Sequence, residues 1–135
     1  MATENETDTI EVVIDILDTI LLKEQCPILL KIDVEGFETE VIKGANTTLL
    51  NKTLKAIIIE LNGSEQKYGY DERQIHNKLM ENGFKPYNYN PKTRQLIELE
   101  TFGTHNTIYL RDMEFVEERI KSARQIKIGN TLQLL

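Results

Sequence analysis

Two nearly continuous apolar runs constrain the fold of this chain more than any other feature. Residues Ile28–Ile32 read Ile-Leu-Leu-Lys-Ile, and residues Ala56–Leu61 read Ala-Ile-Ile-Ile-Glu-Leu. Short runs of this kind, rich in aliphatic residues, are typical of buried strands in a parallel sheet. Between them, residues 37–50 space their apolar side chains as a helix does, so the pattern predicts a strand–helix–strand unit and an α/β fold.

Shorter segments precede and complete this unit. Ile10–Ile14 is β-rich and predicts a short strand, and residues 15–25 predict a helix that Pro27 ends. The helix over residues 37–50 is expected to turn five apolar side chains inward: Phe37, Val41, Ile42, Ala45 and Leu49.

In the C-terminal part of the chain, the spacing of apolar residues changes from helical to alternating. Residues 62–70 read as a loop, and Asp71 with Gln74 resembles a capping box that opens a helix through Met80. We then expect a hairpin and a third strand followed by a helix that Asp112 caps: Phe84–Tyr89, Gln95–Leu99, His105–Arg111 and residues 112–124. The predicted organisation is a disordered N-terminus (1–9), one domain (10–124) and a C-terminal tail (125–135).

Polar side chains follow both buried strands where each strand ends. Asp33 and Glu35 come directly after the first strand, and Glu60 and Asn62 close the second. If the two strands are neighbours, these side chains converge on one rim, where a carboxylate could act as general base or hold a divalent cation. Acidic residues at strand ends are also common as solvated turn residues and helix caps, and spacing alone leaves both interpretations open.

The segment Lys31-Ile-Asp-Val-Glu-Gly-Phe-Glu38, followed by Val41-Ile-Lys-Gly-Ala45, resembles the central signature of the FkbM family of S-adenosylmethionine-dependent methyltransferases. Flanking matches occur in the expected order: Leu17-Asp18-x-x-Leu21, Ile57-Ile-Ile-Glu60, Gly83-Phe84 and Asn106-Thr-Ile-Tyr109. The resemblance covers about residues 10–111.

The resemblance implies a Rossmann-like class I methyltransferase fold, with parallel strands followed by antiparallel C-terminal strands. It also implies methyl transfer from S-adenosylmethionine to a hydroxyl of a sugar or small molecule. Carried over by position, Asp33 and Glu35 are the catalytic candidates, Asp33 and Gly36 contact the cofactor, and Glu60 and Asn62 lie toward the substrate.

One feature of the family pattern does not occur in this sequence. The family has an earlier strand, a glycine-rich turn that cradles the cofactor, a helix and an acidic residue for the ribose, whereas no glycine precedes Gly36 here. We therefore expect a truncated domain, corresponding to the C-terminal half of a methyltransferase, that binds S-adenosylmethionine weakly by itself.

Two other functions remain open. The first alternative is a non-catalytic α/β module, either a remnant or a subunit that completes a partner carrying the earlier half. A metal-dependent O-methyltransferase would use Asp33, Glu60 and Asn62 as ligands. Tyr68, Tyr70, Tyr87 and Tyr89 would suit a sugar-binding rim, although edge packing and hairpin pairing explain tyrosines at these positions equally simply.

Composition limits the classes of ligand that the protein can bind and the cellular compartment in which it is expected. The net charge of −6 argues against nucleic acid, and the acidic, polar start argues against a signal peptide. One cysteine and two unpaired histidines predict no thiolate or histidine metal site. We expect a cytoplasmic protein without a membrane segment. Because the strand Ile28–Ile32 lacks a predicted outer neighbour, a homodimer or a complementing chain is also expected.

Overall fold

The computed structural model describes residues 10–22, 25–124, 126–128 and 131–133, so the predicted disordered segment 1–9 lies outside the described residues. A 3₁₀ helix spans Ser64–Tyr68. The α-helices are α1 (Leu17–Leu22), α2 (Glu38–Lys43), α3 (Asn46–Leu50), α4 (Glu72–Glu81) and α5 (Met113–Ser122). The strands are β1 (Leu29–Ile32), β2 (Ala56–Glu60), β3 (Lys85–Asn90), β4 (Gln95–Glu98), β5 (Asn106–Leu110), β6 (Ile126–Ile128) and β7 (Thr131–Gln133).

Five strands form one mixed sheet in the order β1-β2-β5-β3-β4. Strands β1 and β2 are parallel, with Ile32 opposite Ile59, and the remaining pairs are antiparallel. The predicted α/β class is therefore confirmed, and the two apolar strands are neighbours, which is the condition for the rim residues to converge. Strands β6 and β7, within the predicted tail, pair only with each other among the described strands.

Apolar side chains pack on both faces of the sheet. The larger cluster is fully buried and includes side chains of β1, β2, α2, α3 and α4, among them Ile32, Ile57, Leu49 and Leu79. The smaller cluster lies between α5 and the other face and is centred on Ala56, Leu110 and Val116. Burial of these aliphatic side chains stabilises the fold by about 1.5–3 kcal/mol each.

The predicted helix over residues 37–50 is wrong as a single element, because it is divided into α2 and α3 at Gly44 and Ala45. A Cβ atom at Gly44 would lie 3.1 Å from Cβ of Ile16, so the segment before α1 packs directly on this break. The Asp18 carboxylate accepts hydrogen bonds from the backbone N–H groups of Thr47 and Thr48, each at 2.8 Å. Asp18 thus caps the start of α3 from about thirty positions earlier in the sequence.

Three further expectations are corrected. Ile10–Ile14 forms no strand and is exposed. Phe37, expected in the core, is 46% exposed. Asp112 does not cap α5 with its side chain, since its carboxylate pairs with Lys55 instead.

Among the described residues, no helix has the length and apolar character needed to cross a bilayer.

Candidate active site

Three carboxylates meet at the carboxyl ends of the parallel strands. One oxygen from each of Asp33, Glu35 and Glu60 lies within 4.8 Å of the others. Asp33 and Glu35 are exposed, and Glu60 is half-buried. The parallel pairing of β1 with β2 places these strand ends side by side, so the structure brings together three of the four rim residues that the sequence predicts.

The turn after β1 has an unusual backbone. Its two central residues, Glu35 and Gly36, have φ angles of +52° and +105°. The N–H of Phe37 donates to the carbonyl of Val34 at 3.4 Å, which closes the turn. Two positive φ angles in succession are the sign pattern of a type I′ turn, and at Glu35 this conformation costs about 1–2 kcal/mol.

The buried side chain of Glu38 holds this turn in place. Its two carboxylate oxygens accept hydrogen bonds from the backbone N–H groups of Val34, at 3.0 Å, and Gly36, at 2.9 Å. Glu38 therefore satisfies two backbone donors of the turn that carries Glu35.

Gly36 packs directly against the 3₁₀ helix. A Cβ atom at this position would lie 2.8 Å from the ring of Tyr68 and 3.2 Å from the carbonyl oxygen of Ser64. The ring of Tyr68 also lies 4.5 Å from that of Phe37, centroid to centroid. Both rings are about half exposed, so an aromatic pair stands next to the carboxylates on the same rim.

A second buried glutamate, Glu65, joins the 3₁₀ helix to α2. Its carboxylate accepts hydrogen bonds from the backbone N–H of Thr39 at 2.6 Å and from the Thr39 hydroxyl at 2.9 Å. The carboxylate of Glu72, the first residue of α4, accepts the N–H of Gly63 at 2.6 Å. The loop after β2 is thus tied by hydrogen bonds to both α2 and α4.

The electrostatic environments of the acidic groups differ. The ion pair with Lys31 lowers the pKa of Asp33, so this carboxylate is held ionised and is a weak base. Burial raises the pKa of Glu65 and outweighs its hydrogen bonds from Thr39. Among the described residues, Glu35 forms no side-chain hydrogen bond, which leaves its carboxylate available to a ligand.

Asn62 is the fourth residue of the predicted rim, and its side-chain oxygen already has a partner. Oδ1 accepts the backbone N–H of Ser64 at 2.9 Å and closes the loop after β2. A cation site built from Asp33, Glu60 and Asn62 would have to compete with this bond. Glu35 is the third carboxylate that the structure places beside Asp33 and Glu60.

The sequence does not indicate the supporting roles of Glu38 and Glu65. Glu38 falls in the first turn of the helix predicted over residues 37–50, where an acidic side chain is favourable in itself, although a glutamate two residues after a turn glycine is within local reach of that glycine's N–H. Glu65 carries no such signal, because its partner Thr39 is 26 positions away. The role of Glu65 therefore becomes visible only when the loop after β2 is brought against α2.

The remaining candidates lie in structural contacts. Nδ1 of His76 lies 2.8 Å from the hydroxyl of buried Tyr109, and burial lowers the pKa of this histidine. The Tyr87 hydroxyl donates to Glu98 at 3.0 Å within the β3–β4 hairpin. The ring of Tyr70 lies under the ammonium of Lys43, 4.8 Å from its centroid. Of the four predicted rim tyrosines, Tyr68 is the one whose ring packs on the turn after β1.

Comparison with known proteins identifies one family. A family model described as the methyltransferase FkbM domain matches residues 1–86, a span that includes β1, β2 and all three rim carboxylates. No curated protein and no solved structure matches the chain.

Proposed function

This chain belongs to the FkbM methyltransferase family, and from that premise we propose that it transfers a methyl group from S-adenosylmethionine to a hydroxyl oxygen of a sugar or small molecule. The observation that carries the proposal is the meeting of Asp33, Glu35 and Glu60 at the ends of two parallel strands. Ligands of open α/β sheets bind at this position, beyond the carboxyl ends of the strands.

The donor set suits the reacting end of this cofactor. S-adenosylmethionine, when bound, supplies an electrophilic methyl group on a positively charged sulfur. Three carboxylates whose oxygens lie within 4.8 Å create a negative field that attracts such a cation. Lys31 keeps Asp33 ionised but offsets part of its negative charge, whereas Glu35 and Glu60 form no ion pair among the described residues and contribute to the field in full.

Glu35 is the residue that we assign as general base. In the transfer, the acceptor oxygen forms the new bond to carbon, the sulfur keeps the electron pair of the broken bond, and the hydroxyl proton must go to a base. Asp33 is the poorer base because Lys31 lowers its pKa. The strained backbone at Glu35, with φ of +52°, presents its carboxylate at the tip of the turn.

The aromatic pair of Phe37 and Tyr68 supports a carbohydrate or other ring-bearing acceptor. Both rings are exposed beside the turn that carries Glu35. Exposed aromatic faces stack on the apolar faces of sugar rings. We assign these two residues to the acceptor side of the site, together with Glu60 and Asn62.

The fold within this family is proposed to be Rossmann-like. The support is the parallel β1–α2–α3–β2 unit followed by antiparallel strands, with β5 inserted between β2 and β3. In that arrangement the carboxylate rim corresponds to the reacting edge of the sheet.

Affinity for the cofactor is proposed to be weak in these 135 residues alone. Backbone N–H groups of a glycine-rich turn would normally hold the cofactor, and residues 1–35 contain no glycine. A complementing chain that supplies such a turn would then raise the affinity.

Calorimetric titration with S-adenosylmethionine and with S-adenosylhomocysteine tests this proposal. The two compounds differ in the sulfonium charge, so we expect weak binding of both, with a preference for S-adenosylmethionine that Asp33→Asn reduces. Glu40→Gln is the matched control, because Glu40 is an exposed carboxylate paired with Lys43 on α2. No binding at millimolar S-adenosylmethionine would contradict the proposed function, and a low micromolar dissociation constant would contradict only the expected weakness.

A further inference from the structure

Strand β1 is an edge of the sheet. Among the described residues its one strand partner is β2, and its other side has no ladder. Ile28 and Leu29, where β1 begins, are 52% and 49% exposed. An edge with free backbone donors and acceptors and apolar side chains is a template for another strand.

The segment Ile10–Ile14 also lacks a pairing partner, although its residues favour a β-strand. It reads Ile-Glu-Val-Val-Ile, and four of its five residues are β-branched. The structure gives it neither helix nor strand, and Val13 and Ile14 are 97% and 92% exposed. Leaving four aliphatic side chains in water is unfavourable, so this segment also needs a partner.

The segment and the edge match in length and charge. Ile10–Ile14 has five residues, as does Ile28–Ile32, which contains β1. Each stretch contains a single charged residue, Glu11 in the first and Lys31 in the second, and the two charges are of opposite sign.

An apolar groove starts at the same edge. It has a volume of about 400 Å³ and runs from Ile28 and Leu29 across Ala56 and Ile58 to α5. A strand added beside β1 points alternate side chains toward each face of the sheet, so one set would extend this groove. Edge and groove therefore offer backbone pairing and apolar burial to the same added strand.

We propose that two copies of this chain form a dimer in which the Ile10–Ile14 segment of each copy pairs with the β1 edge of the other. The exchange is reciprocal, so a two-fold dimer satisfies both segments and both edges and leaves no open end. The segment leads into α1, which is held in place by the hydrogen bond from the Asp18 N–H to the carbonyl of Gly44 at 2.9 Å. The net charge of −6 on each copy opposes association only weakly at physiological salt, because screening acts over about 8 Å.

Sedimentation equilibrium across a range of concentrations tests the dimer. We expect a species of twice the 15.6 kDa chain mass that dissociates on dilution. The double variant Val12→Asp/Val13→Asp should raise the dimer dissociation constant by roughly tenfold or more, because it places two charges in the added strand. Val12 and Val13 are 66% and 97% exposed, so the folded single chain loses little from the change.

Ile97→Asp is the matched control. Ile97 is 58% exposed on β4, the other edge strand of the same sheet, and its change should leave the dissociation constant unaltered. Hydrogen exchange gives a second readout, since the amides of residues 10–14 should be protected in the dimer and lose protection on dilution.

Three results would overturn the proposal. A monomer at high concentration with protected amides in residues 10–14 would show that the segment pairs with β1 of its own chain. Open polymers that grow with concentration would exclude reciprocal exchange. A dimer that Ile97→Asp disrupts, and the valine variant does not, would place the interface at β4.

Discussion

Gly36 and Tyr68 are in contact so close that no side chain fits between them. A Cβ atom at Gly36 would lie 2.8 Å from Cε2 of the tyrosine ring. Gly36 belongs to the turn after β1, and Tyr68 to the 3₁₀ helix after β2. This contact therefore sets how near the two loops of the candidate active site come to each other.

Gly36→Ala is expected to destabilise the protein for two reasons. The φ angle of +105° disfavours any residue with a Cβ atom, at a cost of about 1–3 kcal/mol, and the new methyl group would also collide with the Tyr68 ring. Urea unfolding of the variant, compared with the unaltered chain, measures the sum of these effects.

The same substitution in a Tyr68→Ala background separates the two causes. Removing the ring relieves the collision but leaves the backbone strain, so Gly36→Ala should cost less stability there. An equal loss in both backgrounds would show that the ring contact is not a constraint.

Glu35→Gln should reduce methyl transfer much more than Asp33→Asn. Each amide keeps the shape of its carboxylate and removes the base, and a general base contributes roughly a hundredfold or more. Asp33 is paired with Lys31, which lowers its pKa, so its loss should act mainly on cofactor binding. Single-turnover rates at saturating cofactor and circular dichroism of each variant are the measurements.

Near-normal turnover in both folded variants, Glu35→Gln and Asp33→Asn, would assign the cluster a structural role. A large loss in Asp33→Asn with none in Glu35→Gln would exchange the two assignments and show that the Lys31 pair opens during the reaction.

Asp18 is expected to make the fold sensitive to acid. Burial opposes its ionisation, but hydrogen bonds from Thr47 and Thr48 outweigh burial and lower the pKa of Asp18 below its ordinary value of 3.8. The ionised cap should stabilise the fold by about 1 kcal/mol above that value, and this contribution is lost as the pH falls through the lowered pKa.

Asp18→Asn removes the titration and keeps a side-chain oxygen that can still cap α3. The difference in unfolding free energy between the unaltered chain and this variant should therefore be largest near neutral pH and shrink below about pH 4. Urea unfolding at several pH values measures it. A difference that is constant with pH would show that the carboxylate's charge does not contribute.

Local patterns were sufficient to predict the two parallel strands and the rim at their ends. The apolar runs before Asp33 and at Ile57–Ile59 can be satisfied only by burial, which makes them adjacent strands of a sheet. Parallel pairing then requires their carboxyl ends to meet, so Asp33, Glu35 and Glu60 converge. These features are predictable because the hydrophobic effect depends on which side chains are apolar, and the sequence states that directly.

Contacts between distant residues were not predictable in the same way. The break between α2 and α3 depends on Ile16 and Asp18, which lie far from it in sequence, and residues 37–50 by themselves read as one helix. Aspartate is a residue type that often caps helices, yet the carboxylate of Asp112 pairs with Lys55, 57 positions away. In both places a tertiary partner outweighs a local preference of about 1 kcal/mol.

Residue type and short-range spacing are enough to predict the α/β class, the two buried strands, the family and the residues of the carboxylate rim. The way the rim is built depends on contacts in the folded chain: Glu38 and Glu65 are buried supports, and Phe37 and Tyr68 form an exposed pair. These roles could not be read from local patterns, because burial and hydrogen bonding depend on which segments meet in space. A glutamate's role here changes from solvated charge to structural acceptor when backbone N–H groups from a turn or helix surround it.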